Sequence, residues 1–163
     1  MTRHTQKQLE SHLWESANVL RGSIDSSDYK NYIFGMLFLK RLSDVFEDEY
    51  LAVVEREMAQ GRSREEAEKI AEDPDEHQFY VPERARWENL SQKTFNIGEE
   101  IQKSFYALED DNNSLVGVLT PIDFNDKDRL PDVTLLKLIA HFGKMRLGNA
   151  EIPNPDMLGD AYM

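Results

Sequence analysis

Four histidines, two carboxylate runs, a string of alternating aspartates and one basic–aromatic cluster are the groups in this chain with chemical promise. A helical metal pair needs two histidines one turn apart, so that both imidazoles project from one face. His4, His12, His77 and His141 have no such spacing. His141, between Ala140 and Phe142, reads as a hydrogen-bonded helix residue. The runs Glu47-Asp48-Glu49 and Glu109-Asp110-Asp111 read as a solvated face and a polar loop. Asp123, Asp126 and Asp128 could hold a divalent cation in a small carboxylate enzyme. That reading ranks last, because the stretch lacks the central glycine and terminal bidentate glutamate of a calcium loop. Arg84, Arg86 and Trp87 are candidate partner or phosphate contacts. Their competing role is structural: Trp87 anchors a loop and the arginines pair with an acidic surface.

Other chemistries fail for want of residues. The 8 glycines are scattered and form neither G-x-G nor G-K-[ST], so no phosphate-cradling loop is encoded. Without cysteine there is no zinc finger, disulfide framework or thiolate nucleophile. No serine lies in a nucleophile elbow. The sequence therefore predicts no catalytic, cofactor-binding or metal-ligating residue in this stretch. The net charge of −12 is spread over both halves. Such a surface repels phosphate backbones at long range, which argues against a stand-alone DNA-binding module. The N-terminus has no apolar signal region, and no run approaches the ~18–20 apolar residues of a membrane span. A soluble, cytoplasmic protein is expected.

At 163 residues the chain is sized for one domain. Its organising stretch is residues 26–61, where apolar residues recur at steps of three and four. From Ile33 to Leu39 every position except Gly35 is apolar, as in a helix surrounded by others. Ser26, Ser27 and Asp28 offer N-caps and Gly61 a C-terminal stop. A first amphipathic helix spans Gln6 to Arg21, its apolar face widened by Trp14. A short peripheral helix starts at the Ser63/Glu66 capping box, and another starts at Asn96/Glu99. The last full helix begins at Pro131-Asp132 and runs to Leu147, burying Leu135, Leu136, Leu138 and Met145, with Gly148 closing it. Phe79, Tyr80 and Val81 read as a short extended piece. The predicted fold is all-α: a small orthogonal helical bundle around a long central helix (about 28–60), with one short extended pair. Residues 1–150 form the helical domain. Residues 151–163 form a linker and the first turns of a helix, with Asn154 as N-cap and Pro155 behind it.

The run LWESANVLRGSIDSSDYKNYIFGMLFLKRLSDVFEDE, from Leu13 to Glu49, resembles the start of the modification (M) subunit of type I restriction-modification systems. The likeness continues through FYVPERARWENL, IGEEIQKSF, LVGVLTPIDFNDKDRLPDVTLLKLIAHF and NPDMLGDAY, in that order. It implies an N-terminal helical assembly domain ahead of a methyltransferase domain. The full subunit would be an S-adenosylmethionine-dependent, adenine-N6-specific DNA methyltransferase. Its implied partners are a specificity (S) subunit, a second M subunit and a restriction (R) subunit, with DNA met through the whole complex. The family's glycine-rich cofactor loop and Asn-Pro-Pro-aromatic motif are missing here. Asn154-Pro155-Asp156 lacks the second proline and the aromatic, so no catalytic residue carries over. The fragment alone is expected to be inactive and to bind no cofactor. The alternative is a free-standing acidic helical interaction or regulatory protein.

Overall fold

The structure is a computed structural model and describes residues 3–152. It is an all-α bundle around one 31-residue helix, α2 (Tyr29–Ala59). The first helix, α1 (Gln6–Leu20), opens with a capping box in which Gln8 N donates to Thr5 Oγ1 at 3.1 Å and Thr5 N to Gln8 Oε1 at 2.8 Å. Ser26–Asp28, expected to cap α2, form a 3₁₀ turn ahead of it, capped by Asp25. At the other end Gly61 takes φ +97°. Its N–H bonds Met58 O at 3.0 Å and that of Arg62 bonds Glu57 O at 3.1 Å. This is a Schellman close, and glycine adopts its left-handed residue without a Cβ penalty.

Tyr32, Met36, Leu37, Leu39, Leu42 and Phe46 of α2 are buried in the main core, with Leu9, Leu13 and Leu20 of α1. The glycine that interrupts the apolar run has a specific role. Phe124 packs edge-on to Tyr32 and Phe105, and a Cβ on Gly35 would meet its ring at 2.9 Å. A Cβ on Gly98 would overlap the Phe124 carbonyl. Two glycines on facing helices thus make the slot that seats Phe124. Beyond Tyr50, α2 leaves the core and buries Val53 and Val54 against Ala67 and Ala71 of α3 (Arg64–Ala71), a separate small cluster. The Ser63/Glu66 capping box is formed as expected.

Four local expectations are corrected. No strand occurs among the described residues, so the short extended pair is absent; the nearest feature is an isolated bridge between Arg21 and Ile24. Near Phe79–Val81 a side chain takes the place of a strand partner. Asn112 Oδ1 accepts from Tyr80 N at 2.9 Å and Asn112 Nδ2 donates to Tyr80 O at 2.8 Å. Next, the helix α5 (Ile97–Asp111) is not capped by an Asn96/Glu99 box. Asn96 sits at φ 52°, and Asp132 reaches across to accept from Asn96 N at 2.9 Å and Ile97 N at 3.0 Å. Third, α6 (Asp132–Phe142) stops well before Leu147, because the following residues turn away to bond α2. Last, Trp14 and Leu136 point outward, at 73% and 37% exposure. Between α3 and α5 lie a 3₁₀ turn at Glu83–Ala85 and the single-turn helix α4 (Trp87–Leu90). The helix start expected at Asn154-Pro155 lies outside the described residues.

Candidate functional site

Polar side chains converge most densely on the solvent edge of α2 between Lys40 and Asp48. Lys40 and Asp44 stand one helical turn apart and form a buried ion pair, each side chain 6% exposed. A pair this dry needs every lone pair answered. Asp44 Oδ2 also accepts from Leu147 N at 2.8 Å. Arg146 then pairs with Glu47 at 2.8 Å, with Asp48, and at longer range with Glu151 at 3.5 Å and Asp44 at 3.8 Å. Arg41 donates to Leu147 O and Asn149 Oδ1, both at 2.7 Å. A Cβ on Gly148 would have to push aside the carboxylates of Asp48 and Glu151. The N-terminal segment joins the same latch: His4 N donates to Glu151 O at 3.0 Å, and His4 Nε2 to Arg146 O at 2.7 Å. Burial works against the Arg146 cation, but Asp44, Asp48 and Glu47 outweigh it and its pKa is raised. The latch therefore holds residues 146–151 on α2. With its carboxylates engaged by cations or amides, it has no free base or nucleophile.

A second cluster surrounds the Arg84–Trp87 candidates. Arg86 grips Glu72 with two N–H groups, at 2.7 and 3.1 Å, donates to Val81 O at 2.9 Å, and lies 4.5 Å over the Phe46 ring. The Arg86 guanidinium holds the Glu72 carboxyl below its ordinary range. Trp87 is buried, and its backbone N–H donates to Ser43 Oγ at 2.7 Å. Of the three, Arg84 alone is exposed. His77 completes the cluster: it stacks on Phe46 at 4.1 Å, contacts Glu49 through Nδ1 at 3.0 Å and donates through Nε2 to Ala71 O at 2.6 Å. The Glu47-Asp48-Glu49 run is thus engaged internally, Glu47 and Asp48 by Arg146 and Glu49 by His77, rather than merely solvated.

The remaining candidates resolve individually. His141 is buried and stacks on His12, ring centroids 4.2 Å apart and planes 14° from parallel. Its Nε2 donates to His12 O at 2.7 Å, while His12 Nε2 is buried without a partner. Burial, reinforced by the neighbouring His141, lowers the His12 pKa to about 4. Asp123 and Asp126 turn back on their own loop, accepting from Asn125 N at 2.9 Å and from Asp128 N at 3.2 Å. Among the described residues no group of three or more histidine and carboxylate side chains is placed to hold a metal ion, and no helix is long and apolar enough to cross a membrane.

These elements follow the order of a known family. A family model described as the HsdM N-terminal domain matches residues 9–142. The chain belongs to this family. It is also similar to a solved structure, the type I restriction-modification system methyltransferase subunit from Streptococcus thermophilus, with a TM-score of 0.71 and 25% sequence identity. The match covers 98% of this chain and 38% of that one, so the chain spans well under half the length of that subunit. No curated protein matches.

Within this HsdM N-terminal domain, three of the motifs that carried the resemblance prove to be packing devices. Residues 13–49 supply the second half of α1 and the core half of α2, FYVPERARWENL forms the Arg86 cluster, and LTPIDF delivers Phe124 to its slot. The latch escaped sequence reasoning because Arg146 lies 98 to 102 residues from its partners on α2. One signal was visible: Lys40 and Asp44 interrupt an apolar stretch at i, i+4 spacing, where an unpaired charge would be costly.

Proposed function

We propose that this chain is the assembly domain of a type I restriction-modification M subunit, with residues 1–150 forming the domain and residues 151–163 leading into a methyltransferase domain. The family match over residues 9–142 carries this reading. In it, the full subunit transfers a methyl group from S-adenosylmethionine to adenine N6 in the cytoplasm, assembled with S, a second M and R. The target amino group is buried in duplex DNA, so the reaction needs a flipped-base pocket. In this reading that pocket lies in another part of the subunit, since this sequence carries neither a glycine-rich cofactor loop nor an Asn-Pro-Pro-aromatic motif. The acidic surface and the rigid latch suit a protein–protein role. Arg84 is the one member of the Arg84–Arg86–Trp87 cluster free to meet a partner, since Arg86 and Trp87 are engaged internally.

Calorimetry and co-purification test the reading together. The isolated chain should give no heat with S-adenosylmethionine, whereas the full-length subunit should bind it and co-purify with S. Cofactor binding by the isolated chain, or a full-length subunit that ignores S, would overturn the proposal.

A further inference from the structure

The connection after α5 displays apolar side chains on a backbone fixed from below. Val116 and Val118 are 64% and 40% exposed on either side of Gly117, which takes φ +81°. Buried Glu109 holds this bend. Its carboxylate accepts from Gly117 N at 3.0 Å, Leu119 N at 2.9 Å, Thr120 N at 2.7 Å and Thr120 Oγ1 at 3.1 Å. Gln102 fixes the next stretch, donating to Thr120 O at 3.2 Å and accepting from Phe124 N at 3.0 Å. Gln102, Tyr106 and Glu109 occupy i, i+4 and i+7 of α5, so Tyr106 stands on the same side, between the two clamps. Its ring is 55% exposed. Asp110, one turn from Tyr106, is exposed and has no partner among the described residues, while Lys103 is already paired with Glu99 at 3.0 Å. The display is therefore apolar, acid-flanked and rigid before any partner arrives, which lowers the ordering cost of binding.

We propose that Tyr106, Val116 and Val118 dock the DNA-contacting protein subunit of the complex, through an apolar patch on that subunit ringed by lysine or arginine. The inference rests on the assembly-domain reading above and adds the surface that performs it. Charge complementarity selects the partner. A subunit that reads DNA carries positive charge to meet the phosphates, and this chain carries −12. Exposed tyrosine is also enriched at interface centres.

The experiment titrates the full-length M subunit against its S subunit at two salt concentrations, with circular dichroism of each variant. Tyr106→Ala combined with Val118→Ser should weaken binding at least about 10-fold with helicity unchanged. Asp110→Lys, which alters no packed residue, should weaken binding and flatten its salt dependence. Phe95→Ala, at 70% exposure and preceding the start of α5, should leave binding unchanged. Wild-type affinity in both the double variant and Asp110→Lys would overturn the docking surface while leaving the assembly reading intact. Loss of M–M association with S binding retained would assign the patch to a second copy and overturn it equally. If the wild-type subunit does not bind S, the assembly reading falls, and the docking surface with it.

Discussion

The two halves of α2 share one helix and differ in everything that holds them. From Tyr29 to Asp48 the helix is gripped by α1, α6, the Phe124 slot and the polar latch. From Glu49 onward it meets α3, the Arg56 and Arg62 pairs with Glu57, and the His77 loop. Its second apolar cluster is four small or medium side chains: Val53, Val54, Ala67 and Ala71. Burial stabilises by roughly 25 cal/mol per Å² of apolar surface, so the far half has much less to lose. Helical continuity therefore does not imply uniform stability. The near half belongs to the global unfolding unit, and the far half with α3 can open locally.

An identical insult to both halves is the severest test. Leu37→Asp puts an unpaired carboxylate in the main core and should unfold the domain, seen as loss of helical circular dichroism and of the melting transition. Val54→Asp should release α3 and the end of α2 while the core amides keep their hydrogen-exchange protection. Equal global unfolding by both variants would erase the distinction between halves.

The latch is expected to rank next. Asp44→Ala leaves Lys40 buried without its partner and Leu147 N–H without its acceptor. The loss should be about 3–5 kcal/mol by chemical denaturation, with residues 146–151 becoming protease-sensitive. A loss below about 1 kcal/mol would mean that the latch does not hold that segment.

Acid should also act on the near half. The folded pKa of His12 lies near 4, below its ordinary 6.5. A histidine lowered in this way contributes stability that is fully present above pH 6.5 and is lost as pH falls from there towards 4. The loss across that window is about 3 kcal/mol. It should appear first in exchange at α1 and α6, where His12 and His141 stack, and not at α3. His12→Leu should flatten the profile; an unchanged acid dependence would reject the assignment. The smallest effect is expected at Gly61, where alanine at φ +97° should cost about 1 kcal/mol, confined to the far half.

Much of this architecture was legible because its signals are local. The period of residues 29–46 marks the central helix, Ser63 and Glu66 mark a capping box, and Gly61 marks a helix stop. Each depends on residues within about one helical turn of one another. The failures were signals that borrowed a partner from far away. Asn96 and Glu99 had capping-box spacing, yet the cap is Asp132, 35 and 36 residues from the amides it receives. Glu109 looked like part of a polar loop, yet it lies in the last turn of a helix and is buried under the loop it organises. Trp14 had an apolar face to join and points to solvent instead.

The sequence by itself determined the helices other than α4, their order, the acidic character and the family resemblance, because periodicity, capping and composition are written within a turn or along the whole chain. Only the tertiary structure decided which charges are buried, where α6 ends, and how Arg146 meets Asp44 and Asp48. Those outcomes depend on desolvation and on distances between residues about a hundred positions apart, and neither quantity exists until the chain has packed.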